Sequence, residues 1–191
     1  LLEYDGPFEL FHQCHLELTD THFDVTTVSD NGRILDRLDG RRAVDVYAEA
    51  IDVAPENLTR EVLSRHPLGF PFRGRPHACA PVTTLERGRL RIANTVHPGD
   101  ELHLLEPNNL VESTRTELRE AIDRFETTHG KAPQAALMFQ CLGRYLEACD
   151  RGVDDELSDA LTQLPLAGFN ARGEQINSLH TNLSLTGLLF G

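Results

Sequence analysis

The sequence is poor in lysine: it has 18 basic residues, and Lys131 is the only one that is not arginine. Base composition alone can produce that imbalance. Acidic residues outnumber basic ones 30 to 18, for a formal net charge of −12. Nucleic acid and anionic membrane are thereby disfavoured as main partners, because both repel an acidic surface. Long hydrophobic runs are missing, and none approaches the roughly 18 apolar residues that cross a bilayer as a helix. Cysteine is sparse and scattered, at Cys14, Cys79, Cys141 and Cys149 with no C-x-x-C. That is a poor disulfide framework and fits a reducing, cytoplasmic setting. There is no Walker A loop, no G-x-G-x-x-G, no H-E-x-x-H and no G-x-S-x-G. The common sequence-readable routes to NTP hydrolysis, dinucleotide binding, zinc proteolysis and serine hydrolysis are absent, which weighs against an enzyme.

What remains is an ordinary globular composition, 191 residues at 40% hydrophobic and 25% charged, enough for one domain or one domain plus part of another. The opening "LLEYDGPFEL" runs straight into strand-like sequence, so the chain is expected to be the C-terminal part of something longer. "FELFHQCHLEL" reads as one strand, Phe8–Leu18, with Phe8, Leu10, His12, Cys14, Leu16 and Leu18 on a common face. "FDVTTVS" and "RILDRL" read as strands around the turn Asp30-Asn31-Gly32. Ala43, Tyr47, Ala50 and Ile51 form a helical stripe, and Pro55 is expected to open a second helix carrying Leu58 and Val62. "HACAPVTTL", "ERGR" and "LRIANTV" read as a hairpin, and "DELHLL" as a further strand. Val111, Leu118, Ile122 and Phe125 mark the longest helix, capped by Gly130. "QAALMF" is expected to be a strand buried on both faces, and "VDDELSDALTQL" an amphipathic helix with acids in its first turn. "LPLAGF" and "NLSLTGLLF" read as closing strands. Strands and helices interleave without a strict β-α-β rhythm, so the fold class is α+β, with a mixed, largely antiparallel sheet packed with several helices.

Two stretches suggest chemistry. "HQCH" invites a metal reading, but in a strand His12 and Cys14 face one way and His15 the other, so three ligands do not converge. "LMFQCLGRYLEA" is a strand–turn–helix element. There, free backbone N–H groups and the helix dipole favour negative charge, and Arg144 adds a planar cation suited to a carboxylate. Cys141 reads first as a buried structural thiol, next as a pocket wall, and last as a nucleophile whose thiolate the same field favours.

"MFQCLGR", "LPLAGFNARGEQI" and "LHTNLSLTGLLF" together resemble, in order and spacing, the closing motifs of the FIST C-terminal domain. The matching positions are Phe139, Cys141, Gly143 and Arg144; Gly168, Phe169, Gly173 and Glu174; and Asn182 and Thr186. Asn170-Ala171 departs from the more aromatic turn of the family, and Leu183 spreads out its Asn-x-Thr step. Upstream, "FDVTTVSDNGRILDRLDGRRAVDVYAEAI" is similar to the junction between FIST N-terminal and C-terminal domains. Residues 1–40 are therefore expected to be junction strands or the end of an N-terminal FIST domain, and 41–191 the C-terminal one.

The resemblance implies a cytoplasmic, non-catalytic input domain that binds a small molecule, an amino acid or a similar polar ligand. Its expected partners are the missing N-terminal FIST domain and a signalling output such as a histidine kinase, cyclase or chemotaxis receptor. Cys141, Arg144, Phe169, Asn170, Glu174, His180 and Asn182 are the expected ligand-binding residues, with no catalytic residue, metal or cofactor. Two alternatives stay open: a non-covalent haem sensor of nitric oxide, with His180, His66 or His97 as axial ligand, and a thiol enzyme using Cys141, for which His180 is the only downstream histidine. Arg144 reads equally as a partner of Glu174 or as a clamp awaiting a ligand carboxylate. Phe169 reads as core rather than as a cofactor wall, and His180 as a turn residue.

Overall fold

The structure is a computed structural model that describes residues 3–72, 74–176 and 179–191. The chain divides into two compact units, one formed by residues 1–15 and 108–191 and the other by 16–107.

In the first unit, β1 (Phe8–Cys14), β10 (Ala135–Cys141), β11 (Leu166–Ala171) and β14 (Ser184–Phe190) form a sheet in the order β1-β14-β10-β11. β14 is antiparallel to both neighbours, whereas β10 and β11 run parallel and are joined through α4 (Leu142–Arg151) and α5 (Asp154–Leu161). The long helix α3 (Leu110–His129) is capped at its start by the Asn109 side chain, which accepts from the Glu112 N–H, and at its end by Gly130 in the left-handed region. Its apolar stripe, Leu118, Ala121 and Phe125, packs with Phe11, Ala136, Met138, Leu185 and Leu189 of the sheet. A short hairpin, β12 (Glu174–Ile176) and β13 (Leu179–Thr181), stands beside that sheet. Gly187 in β14 faces the close passage of β10. A Cβ there would meet the Leu137 carbonyl and come within 2.5 Å of Met138 Sδ.

In the second unit, β2 (Leu16–Ser29), β3 (Ile34–Leu38), β4 (Arg41–Arg42), β5 (Leu68–Phe72), β6 (Arg75–Cys79), β7 (Pro81–Leu85), β8 (Arg89–Ile92) and β9 (Glu101–Pro107) make a second sheet. Its order is β6-β5-β9-β2-β3-β8-β7, with β4 on β3, and all its pairings are antiparallel. α1 (Ala43–Ala50) buries Val44 and Tyr47 against Phe23, Leu35, Leu38 and Leu90. Asp30, Asn31 and Gly32 all take positive φ, as the turn chemistry of that tripeptide requires.

The α+β class and the mixed, largely antiparallel pairing agree with the sequence pattern. Several details differ. Phe8–Leu18 is not one strand: the chain leaves the first unit at His15 and enters the second at Leu16. The buried face of β1 carries Phe11 and Gln13, with His15 following, while Phe8 and Leu10 are exposed. Polar partners inside the unit, described below, outweigh the apolar alternation there. The helix expected at Pro55 is a single 3-10 turn, Pro55–Asn57, and the chain restarts as α2 (Arg60–Arg65) only where Thr59 caps it. β10 buries Ala136, Met138 and Cys141 while its other residues are half-buried, so it is not buried on both faces. β5 and the β12–β13 hairpin were not legible.

Alanine at Gly187 forces β14 away from β10. It is expected to destabilise the protein by about 1–3 kcal/mol, read as a shifted denaturant midpoint with unchanged slope.

Candidate functional site

β10 stays extended through Cys141, whose φ of −60° and ψ of 131° make it the N-cap of α4. A thiol is a poor hydrogen-bond acceptor, yet the N–H groups of Gly143 and Arg144, together with that of Leu183, are directed at its sulfur. Burial, with the nearby Glu174 carboxyl, pushes the Cys141 thiol above its ordinary range. The thiolate expected from the helix dipole is therefore not favoured: desolvation outweighs the dipole, and the group is an unactivated thiol.

Arg144, in the first turn of α4, has no exposed surface. One terminal nitrogen donates to Gln140 Oε1 at 2.6 Å; the other donates to Gln13 Oε1 at 2.8 Å and to Thr114 Oγ1. The network continues from Gln13 to Glu117 at 3.3 Å and from Gln140 to Asn170 at 3.2 Å. Burial lowers the guanidinium to about 10, so it stays charged at neutral pH. Among the described residues no carboxylate forms an ion pair with it, and its Nε is buried without a partner. The pairing of Arg144 with Glu174 is thus not formed, because Gln13, Thr114 and Gln140 occupy the guanidinium fork from three sides.

Glu174, at the start of β12, is 4% exposed. Its Oε2 accepts from Ser184 Oγ at 3.0 Å, while Oε1 is buried with no well-formed hydrogen bond. Burial raises the carboxyl to about 7, against the opposing effects of Ser184, the Gly173 N–H and the Cys141 thiol. Asn182 is buried at the adjoining turn, where Leu183 takes the left-handed φ of 53°, a conformation unfavourable for a bulky residue. The Leu183 side chain lies over Gly143, where an added Cβ would stand 2.9 Å from Leu183 Cδ2.

Of the seven expected site residues, Cys141, Glu174 and Asn182 gather around the start of α4, with Ser184 beside them. Arg144 turns inward, toward β1 and α3. Phe169 is 65% exposed and meets Phe139 edge-to-face at 5.1 Å. It is not core, because β11 is an edge strand. Asn170 lies on the same strand and joins the others only through Gln140. His180 is exposed opposite Gln175, its imidazole covering Gly173.

Sequence reasoning missed Gln13, Thr114, Gln140 and Ser184. The readable signal was Thr114, a polar residue on the otherwise apolar stripe of α3. It also missed a pair in which the buried His15 Nε2 meets both oxygens of the half-buried Glu147 at 3.0 and 3.1 Å. Burial lowers His15. Burial also raises Glu147, but its hydrogen bond to His15 and the charges around it leave it below the ordinary range. A neutral imidazole therefore donates to a charged carboxylate.

Two surface concavities, of about 590 and 300 Å³, lie elsewhere, along Ser158–Leu166 and between Asn109–Arg115 and Arg151–Glu156. A haem needs an axial histidine within an apolar cleft. His180 is exposed over Gly173, the His97 side chain is 76% exposed near Asp100, half-buried His66 accepts from Tyr47 through its carbonyl, and neither concavity is lined by any of them. The residues present do not fit that group.

Residues 43–177 match the family described as FIST C domain, and the chain belongs to it. This is a family of sensory domains of signal-transduction proteins. The match includes the Cys141 and Glu174 motifs and both α4 and α5. No curated protein and no solved structure gives a significant match.

Two outcomes follow from this geometry. Between pH 4.5, the ordinary value for the group, and about 7, the folded protein holds a proton on Glu174 that the unfolded chain releases. Stability therefore falls as pH rises through that window and then levels off. His15, lowered by burial, contributes an opposite slope below its ordinary 6.5. The difference between wild type and Glu174→Gln isolates the carboxyl: the variant gains roughly 1–3 kcal/mol relative to wild type across the window, screening included. Urea titrations at several pH values test this. Arg144→Met strands three acceptors in the interior and is expected to cost about 2–5 kcal/mol. Arg144→Lys recovers only part of that, because an ammonium lacks the fork.

Proposed function

We propose that this domain senses a small zwitterionic ligand, an amino acid or a close analogue, bound where α4 begins. The carrying observation is Glu174, an almost fully buried carboxyl with one oxygen lacking a well-formed partner. Buried polar atoms are normally satisfied, so a ligand ammonium that supplies the missing donor has a strong electrostatic advantage there. The amides of Gly143 and Arg144 fall on a sulfur, and a ligand carboxylate is a far better acceptor for them at a helix N-terminus. Cys141 then serves as the wall that the ligand displaces, and Asn182 as a further polar contact. Arg144 acts from behind, holding the start of α4 in place, rather than as the clamp itself. The strained Leu183 turn over Gly143 is the element that moves to admit the ligand. A signalling output then reads that movement.

A panel of free amino acids, scanned by thermal denaturation, is expected to contain members that raise the melting temperature by mass action. Glu174→Gln keeps the fold and loses the rise. A panel without any shift sinks the reading, as does a shift that survives in Glu174→Gln.

A further inference from the structure

Apart from the two-residue β4, the two larger sheets have four open edges among the described residues, and three are guarded. β1 carries Glu9, engaged by Arg124 at 3.5 Å and His129 at 3.3 Å. β6 carries Arg75 and Pro76, and β7 begins at Pro81 with an irregular register between Pro81 and Thr83. Charges, prolines and bulges of this kind prevent one edge from pairing with another. β11 has none of them. Its six residues, "LAGFNA", carry no charge and no proline, and Leu166 through Asn170 are all exposed. The register with β10 is unbroken from Leu166 to Ala171, and β11 ends the sheet, so no described strand pairs with its opposite side.

We infer that β11 pairs antiparallel with β11 of a second copy, joining two four-stranded sheets into one of eight strands. Two observations favour a second copy over an unrelated strand. The first is size: a two-fold axis through Gly168 sets the residue without a side chain at the centre of the strand pair. Gly168 then faces Gly168, and on one face of the sheet Ala167 opposes Phe169 twice, a small residue against the large exposed ring of this strand. The second is charge. The chain carries −12 overall, so two copies repel one another unless the meeting strands are uncharged and any acids beside them meet a cation. The only charge flanking the strand at its C-terminal end is Arg172. That register carries Arg172 of each copy to the opposite end of its partner's strand, beside the concavity lined by Ser158, Leu164 and Leu166. That concavity is backed by α5, which bears Asp154, Asp155, Glu156 and Asp159. Unlike charges are thereby brought together at both ends of the strand pair. Gln140 ties Asn170 to Arg144, so the paired edge is hydrogen-bonded through one side chain to the start of α4.

Sedimentation equilibrium of the intact chain over micromolar to millimolar concentration tests the inference. A reversible dimer is expected, with Ala167→Lys weakening it at least tenfold while its melting temperature stays near wild type, since Ala167 is exposed. Phe169→Glu alone also weakens it. An equimolar mixture of the two variants restores association, because that register sets the introduced ammonium of one copy opposite the introduced carboxylate of the other. A chain that stays monomeric throughout overturns the inference and leaves the edge to a strand of another protein. A dimer indifferent to both variants, or a mixture that fails to recover, overturns it as well.

Discussion

The Arg144 guanidinium has no exposed surface, and among the described residues no carboxylate forms an ion pair with it. Taking such a charge out of water is costly unless its donors are satisfied in fixed geometry, and here the acceptors come from three separate elements. Gln13 belongs to β1, Thr114 to α3 and Gln140 to β10, while Arg144 itself begins α4. Closing the fork brings these four elements together in one register. Neutral acceptors also leave the positive charge uncompensated at the place where α4 presents its amides.

A proton economy develops on the other side of those amides. Glu174, pushed up to about 7 by burial, shares its surroundings with a thiol that burial holds protonated. Both groups are neutral in slightly acid conditions, and the carboxyl is the first to ionise as pH rises. The Leu183 turn sits directly against them, in a backbone region that a bulky residue occupies only when its neighbours require it. Buried acidity, an unfilled acceptor and a strained turn at one helix start distinguish this place from the rest of the unit.

Much of the fold could be read from the sequence, because local signals agreed with tertiary demands. The α3 stripe, the Gly130 cap, the Asp30-Asn31-Gly32 turn and the hairpin around Arg87-Gly88 needed no knowledge of distant residues. The failures have a common cause. β1 buries Gln13 instead of Leu10 because Arg144, 131 residues away, needs an acceptor, and alternation of apolar residues cannot express that need. Phe169 reads as core in any hydrophobicity count, yet β11 is an edge, and strand order is not written locally. The site was half legible. Cys141 and Glu174 were found through motif resemblance, whereas Ser184 and Gln140 look like any polar strand residues until the sheet places them.

The chain threads its two units in an uneven order. β14, Ser184–Phe190, lies in the interior of its sheet between β1 and β10, whereas the segment Leu16–Pro107 is uninterrupted and the Asn108 N–H closes it off against the His15 carbonyl at 2.8 Å. During vectorial synthesis the inner segment can therefore complete its sheet while β1 still waits, unpaired, for the last strand of its own unit to emerge.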